Sequence, residues 1–441
     1  MKKRIVGFIL CLFIALGLTG CNILTPDNEE LLYPPQLTGD MYPIEQALKE
    51  SVDGEYTLKY PSYGEQRSAV MLEDINNDGE EEAFAFYSTS DDDLTTMHIN
   101  AIVRDGEGWK SVAVQSVIAA GLEKVEFSDL NGDGTKEIVV GWEIYAKSEK
   151  QLSVYSLQKS KLKPLLVQNY TSFVCCDLDQ NQKNELFIHL LDTTASLNNA
   201  SLYSLENSKV VQIAGCIMDK GVNEAKRPIL SQLSNGEPAI YIDEIKGVAA
   251  VTEVLYIKGG QLTNSLLDTT TTMENTITVR PAAILLKDID GDAVPEIPIA
   301  SPLPNADSQN VEKLYYINWC SFDGTKLLQK DIHIINSADG YSLDIPQKWV
   351  GNIAVQKDTE SRIRTVYSYD NENDTIGDKI VTFKSVAQTE WDKSSYDKKG
   401  FVELLREAGI VYSFSLTSYD GELKVSEQTV IDMFALVGQN K

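Results

Sequence analysis

Four acidic stretches carry side chains spaced to hold a hard cation. Asp74 opens DINNDGEEEAFAFY, Asp129 opens DLNGDGTKEIVVGW, Asp177 opens DLDQNQKNELFIHL and Asp288 opens DIDGDAVPEIPIA. Calcium takes six to eight oxygen ligands in a flexible cage. A tight turn supplies them from side chains at positions 1, 3 and 5 and a backbone carbonyl at position 7, with glycine at position 6 for the bend. The first two stretches are complete on this count: Asp74, Asn76, Asp78 and Gly79 with Glu82 at position 9, and Asp129, Asn131, Asp133, Gly134 and Thr135 with Glu137 at position 9. The third has Asp177, Asp179, Asn181 and Glu185 but Gln182 at the bend, and the fourth has Asp288, Asp290, Asp292 and Glu296 but Ala293 there. An EF-hand needs glutamate at position 12 and flanking helices. Position 12 is Ala85 or Val140 in strand-forming runs, so the motif is strand, loop, strand. The glutamate at position 9 has two readings. It ligates calcium, or it accepts hydrogen bonds from loop amides without metal, since Asp and Asn stabilise turns unaided. Both readings make the loops structural rather than catalytic.

The elements that position these loops repeat. The loop starts lie 55, 48 and 111 residues apart, and the doubled gap holds a degenerate copy at 228–244, PILSQLSNGEPAIYIDE, which keeps strand, turn with Gly236, and strand. The apolar runs SAVMLE, KVEFS, SFVCC and AAILLK precede the acidic loops, and two further strand runs follow each of the first three, for example TTMHINAIV and WKSVAVQSVI. Five copies of about 50 residues with four strands each predict a β-propeller. The arrangement resembles the FG-GAP/VCBS repeats also found in integrin α-subunits, over about residues 55–335. That resemblance implies a calcium loop joining the first two strands of each blade. The propeller is expected over 43–335. Blade count stays open, because GEYTLKYP at 54–61 is placed to close the ring beside the last blade.

Composition narrows the function. The 441 residues are 43% hydrophobic, enough for a large core. There are 65 acidic and 39 basic residues, a net charge of −26 that repels nucleic acid. Only His98, His189 and His333 are present, far apart in sequence, which argues against histidine catalysis or a His-rich zinc site. No GxSxG, HExxH, Walker loop or strand-following GxGxxG occurs. Cys175, Cys176, Cys216 and Cys320 match no zinc spacing and read as small buried hydrophobes.

The start, MKKRIVGFILCLFIALGLTGC, is a basic segment followed by an apolar run too short for a stable span. Its end, Leu18-Thr19-Gly20-Cys21, resembles the lipobox of bacterial lipoproteins, where the cysteine is lipidated and cleavage falls just before it. The expected organisation is a signal peptide at 1–20, a lipidated Cys21, and a Pro-containing tether over 21–42. Loss of Lys2, Lys3 and Arg4 takes the charge from −26 to −29. The mature protein is then expected on the extracytoplasmic face of a bacterial membrane, where calcium is available.

Beyond residue 335 the pattern changes, and 336–441 is expected to be a separate α+β domain. Strands are predicted near 341–345, 363–369 and 379–388, with another in IVYSFSLTS. Helices are predicted in SYDKKGFVELLREAG, with Phe401, Leu404, Leu405 and Ala408 on one face and Gly409 as the stop, and in SEQTVIDMFALVG, with Val430, Phe434 and Val437 on one face and Ser426 as cap. GYSLDIPQKW resembles the start of PsbP-like modules in bacterial lipoproteins. The fold class is thus mainly β, a propeller of about five four-stranded repeats followed by a small α+β domain. The function expected is a membrane-anchored binding or scaffold lipoprotein and not an enzyme, partnered by an envelope protein or glycan and not by nucleic acid. The alternatives are a propeller enzyme acting on polysaccharide, through its clustered carboxylates, and an accessory subunit of an envelope complex.

Overall fold

Runs such as EIVVGW and NELFIHL are apolar at nearly every position, which suits a strand buried on both faces. The computed structural model, which describes residues 41–89, 96–145, 149–270, 273–306, 313–393, 398 and 400–437, places them in that setting. The signal segment, Cys21 and the tether as far as residue 40 lie outside the described residues.

The second sheet is an antiparallel meander of Gly121–Ser128, Glu137–Tyr145, Glu149–Gln158 and Lys161–Asn169. In its second strand Ile138 and Val140 enter a core with Phe84, Phe86 and Ile99 of the first sheet. Val139, between them, enters a core with Leu186 and Ile188 of the third. The third sheet (Ser172–Cys176, Glu185–Asp192, Leu197–Glu206, Lys209–Ile217) repeats the device, with Phe187 packed against Ile240 and Ile242 of the fourth. In the fourth, Tyr241 turns the other way, towards Ile297 and Phe322 of the fifth. The two-residue period of the second strand therefore joins each sheet to both neighbours, which is how the blades of a propeller pack.

The first sheet has Val70–Glu73, Glu82–Thr89, Thr96–Asp105 and Gly108–Ile118. Tyr56–Leu58 pairs with the far half of Glu82–Thr89, so the segment at 54–61 belongs to the first blade and not beside the last. A helix absent from the sequence reading, Tyr42–Ser51, lays Ile44, Ala47 and Leu48 against the same blade. The degenerate copy forms the start of the fourth sheet as expected: Ile229–Gln232, a turn with Gly236 at φ 90°, and Pro238–Lys246. Ala249–Lys258 and Gln261–Asn264 follow.

The fifth blade departs from the repeat. AAILLK makes no strand and contributes one bridge, Lys287 to Glu296. The sheet is instead Ile297–Leu303, Leu314–Phe322, Leu327–Asn336, Tyr341–Asp344 and Phe434–Leu436. It runs across the boundary expected at 335/336 and takes its last strand from near the end of the chain.

The rest of the C-terminal segment is a five-stranded antiparallel sheet, Ile353–Asp358, Ile363–Asp370, Thr375–Ala387, Ile410–Leu416 and Val402–Glu407 in spatial order, with short helices Gln388–Trp391 and Glu427–Met433. The helix predicted around FVELLREAG is the strand Val402–Glu407. Ala408 (φ 48°) and Gly409 (φ 77°) form a two-residue turn between the paired residues Glu407 and Ile410. Left-handed φ at both central positions is the signature of a type I′ hairpin. The second predicted helix is present but ends at Met433, with Val430 and Met433 as its buried residues. Ser426 caps it, its Oγ accepting from the Thr429 N–H at 3.0 Å.

One core serves the fifth blade and the C-terminal sheet. Leu303, Tyr316 and Ile332 of the blade pack with Trp349, Ile353, Val366, Val381 and Phe414 of the segment. Trp349 is fully buried and donates from Nε1 to the Leu423 carbonyl at 2.8 Å. A fragment starting at residue 336 would lose the first three strands of that blade and expose the core. We expect such a fragment to give no cooperative thermal transition. In the full chain Leu343→Ala should cost ~2–5 kcal/mol as a buried large-to-small change. A cooperative melt of the fragment by circular dichroism would mean that the segment folds alone.

Candidate metal centres

The four acidic loops share one hydrogen-bond scheme. The position-1 aspartate accepts from the amide at position 6: Gly79 to Asp74 at 3.0 Å, Gly134 to Asp129 at 2.8 Å, Gln182 to Asp177 at 2.8 Å and Ala293 to Asp288 at 2.9 Å. Position 3 accepts from the amide at position 5, through Asn76, Asn131, Asp179 and Asp290, at 2.9–3.3 Å. Position 5 accepts from the amide at position 7, through Asp78, Asp133, Asn181 and Asp292, each at 2.8 Å. In the second loop that position-7 donor is Thr135. Position 6 has positive φ in every loop: 89° at Gly79, 88° at Gly134, 69° at Gln182 and 66° at Ala293. The bend therefore survives without glycine, at a backbone cost of order 1 kcal/mol.

The position-9 glutamate opens the following strand at Glu82, Glu137 and Glu185, and Glu296 directly precedes the strand Ile297–Leu303; in each case it points back under its loop. Its Oε2 accepts from the amide at position 2: Ile75 to Glu82 at 3.1 Å, Leu130 to Glu137 at 3.2 Å, Leu178 to Glu185 at 2.9 Å and Ile289 to Glu296 at 3.0 Å. This amide bond is present in all four loops and engages Oε2 alone. These glutamates are buried. Burial first, with the loop aspartates adding and the amide bond opposing, pushes the carboxyls of Glu137, Glu185 and Glu296 from the ordinary 4.5 up to about 7. Burial raises Glu82 in the same direction.

The loops differ in what they offer a cation. Asp177, Asp179 and Glu185, and likewise Asp288, Asp290 and Glu296, bring carboxylate oxygens within 4.8 Å of one another. Ionised, such neighbours repel by about 3 kcal/mol per pair at an effective dielectric of about 20. A metal ion would reverse the sign, and an all-oxygen donor set fits a hard one. Glu296 adds a sharper sign: its Oε1 is buried and has no hydrogen-bond partner. The first two loops, complete by pattern, form no such group of three carboxylates among the described residues. Their position 3 is asparagine, whose Nδ2 turns to Glu82 in one loop and to Asp133 in the other, each at 3.0 Å. The Asp288 loop has a further feature. Lys330 Nζ reaches Asp290 Oδ2 at 3.1 Å and Asp292 Oδ2 at 3.5 Å, a tethered cation beside the carboxylates.

Two groups escaped the sequence reading because strand register assembles them. His333 and Asp331 share a strand face, and Asp344 lies opposite His333 on the next strand, so the three could hold a metal ion. His333 Nε2 is 3.0 Å from Asp331. Between the third and fourth sheets His189, Asn198, Glu244, Glu253 and Asp219 are all buried. Asn198 donates to Glu244 at 3.0 Å, and His189 Nε2 lies 2.7 Å from Asn198 Oδ1. Burial, then the charge of Glu244, pushes Glu253 up to about 8. The one sequence sign was Asp243-Glu244 interrupting an apolar strand. Among the described residues Cys175, Cys176, Cys216 and Cys320 are free, with Cys176 and Cys320 buried.

No protein-family model matches the chain, and no curated protein matches it. Among solved structures it is similar to a periplasmic gluconolactonase of Pseudomonas aeruginosa at 12% identity, covering 72% of this chain and 86% of that one, with a TM-score of 0.29. A rhamnogalacturonan lyase of Bacillus licheniformis is similar at 11% identity, over 78% and 84% of the two chains, with a TM-score of 0.29. The Dos1 propeller is similar at 9% identity, over 83% and 72%, with a TM-score of 0.26. At these scores the assignment as a propeller rests on the sheet order and blade packing above.

The raised glutamates fix a sign. A carboxyl whose folded pKa lies above its unfolded one stabilises fully below the unfolded value, and that stability is lost as pH rises through the folded value. In chelator the melting temperature should therefore fall between about pH 4.5 and 7. Glu137→Gln with Glu185→Gln, which keeps the acceptor oxygens, should flatten the slope. An unchanged slope in the double variant would place the titration elsewhere.

Proposed function

We propose that the protein is a membrane-tethered, extracytoplasmic binding or scaffold module whose acidic loops serve the propeller and perform no chemistry. The observation that carries this reading is that like groups recur at one point of successive blades, each tied to its own loop amides. A catalytic cleft needs unlike groups converging on one place. Calcium is the ion we assign to the Asp177 and Asp288 loops. Asp177, Asp179 and Glu185 would hold one, and Asp288, Asp290 and Glu296 another, with Asp292 and Lys330 at the rim. Bound there, the ion supplies positive charge that neutralises the clustered carboxylates. The tether reading rests on Leu18-Thr19-Gly20-Cys21, and it puts the module outside the cytoplasm with an envelope protein or glycan as partner.

The test joins calcium counting to thermal melts and fractionation. A site filled a hundredfold above its Kd adds about 2.7 kcal/mol. Asp177→Ala with Asp179→Ala should lower the melting temperature in calcium, leave it nearly unchanged in EGTA, and remove one bound ion. Cys21→Ala should release the protein from membranes or leave an unprocessed precursor. A wild type that melts identically in both buffers and retains no calcium would overturn the structural-ion reading. Unchanged membrane partition of Cys21→Ala would overturn the tether, and turnover of a cell-wall or plant glycan would overturn the scaffold.

A further inference from the structure

Where the fifth blade meets the C-terminal sheet, the shared core is incomplete. A cavity of about 330 Å³ opens there, walled by Ile284, Leu303, Ile317, Leu343, Val355 and Val366 among others. That volume lies in the range of small-molecule sites. Eleven waters at liquid density would fill about the same space, so a ligand of about a dozen non-hydrogen atoms matches it.

The charge at this cavity opposes that of the chain. Acids outnumber bases 65 to 39 overall, yet Lys313, Lys357 and Arg364 line the cavity and no acid is among its described lining residues. Two of the three cations are placed by register. Val355 pairs with Val366, and two residues further Lys357 pairs with Arg364, all four on the face towards the cavity. Like charges directly opposite on neighbouring strands destabilise a sheet. Here they sit beside a buried valine pair, as an apolar floor (Val355 3% and Val366 1% exposed) with a cationic edge. Arg364 is steered by Asn336, whose Oδ1 accepts from its Nη2 at 3.2 Å. Asn336 is in turn held by its own Nδ2 donating to Asp339 at 2.8 Å. Lys313 enters from the blade side at the start of Leu314–Phe322.

We propose that this cavity binds a small anionic amphiphile, an acid with a medium-length alkyl or aryl body and a carboxylate head. The body would lie on Val355, Val366 and the blade-five aliphatics, and the head would meet Lys357, Arg364 and Lys313. Arginine and lysine together supply charge-assisted hydrogen bonds to a carboxylate. The site is separate from the acidic loops, and it stands whether or not those hold calcium.

The test is calorimetric titration of the full chain with decanoate, decanol and decyltrimethylammonium, three probes with one body and three heads. Decanoate should bind with one-to-one stoichiometry, and at least about tenfold more tightly than decanol, as one to two charge-assisted hydrogen bonds imply. The ammonium should bind more weakly than either. Lys357→Gln with Arg364→Gln should reduce decanoate affinity at least about tenfold, towards that of decanol, with decanol affinity retained. Ala338→Trp, an exposed residue at the mouth, should abolish binding of all three without touching the core. Equal affinities for the three probes, decanoate binding unaffected by the double Gln variant, or no binding of decanoate to the wild type would each overturn the proposal.

Discussion

The residue at position 2 of each acidic loop is the point on which the blades depend, because its groups are committed in three directions. In the first three loops its side chain, Ile75, Leu130 or Leu178, is buried in the core shared with the next blade. Its amide donates to the buried glutamate that begins the second strand. In two loops its carbonyl accepts from the next repeat, Ile75 from the Lys136 amide at 2.7 Å and Leu130 from the Leu205 amide at 3.1 Å. A buried amide without a partner costs about 1–3 kcal/mol, and a buried carboxyl without one costs more. Each glutamate–amide pair gives both groups a partner at once. It also fixes the turn geometry that sends the first strand into the second, and hence the alternation that joins each blade to its neighbours.

The fifth blade solves the same problem differently. Its pre-loop run makes one bridge, and Ile289 packs in a small cluster with Ile284, Ile317 and Trp319 inside its own blade. With no sixth repeat to cover it, its other face is covered by the C-terminal sheet, whose Ile353, Val366 and Phe414 pack with Tyr316 and Tyr341 of the blade. The chain then returns to place Phe434–Leu436 along the blade's edge. Covering an exposed edge strand blocks it as a template for aggregation. The cavity lies along this seam because the C-terminal sheet covers the blade without being a copy of it, so the two faces do not interdigitate as blades do.

Much of this was legible. The loop pattern and its spacing located the blades, and the doubled gap located the degenerate copy, because strand–turn–strand grammar persists after the acids are lost. The segment FVELLREAG, expected to be helical, is a strand for a definite reason: Gly409 after an apolar run marks a helix stop or a type I′ turn equally well, and only the partner strand Ile410–Leu416 decides. Completeness of pattern did not show which loops gather three carboxylates. Asparagine and aspartate at position 3 both satisfy the turn, but only aspartate adds a third carboxylate beside positions 1 and 9. The groups around His333, Glu244 and Arg364 were out of reach, since each is assembled by register between strands and not by spacing along one.

The glutamate–amide pairs hold the loops in their own right. The most direct measurement is hydrogen–deuterium exchange of the Ile75, Leu130, Leu178 and Ile289 amides in the presence of chelator. These four should exchange as slowly as the central strands of their blades, and far more slowly than the Glu80 and Thr135 amides in the same loops. Rapid exchange at all four in chelator, with protection only when calcium is present, would contradict the account and make the metal rather than the glutamate the element that holds each turn.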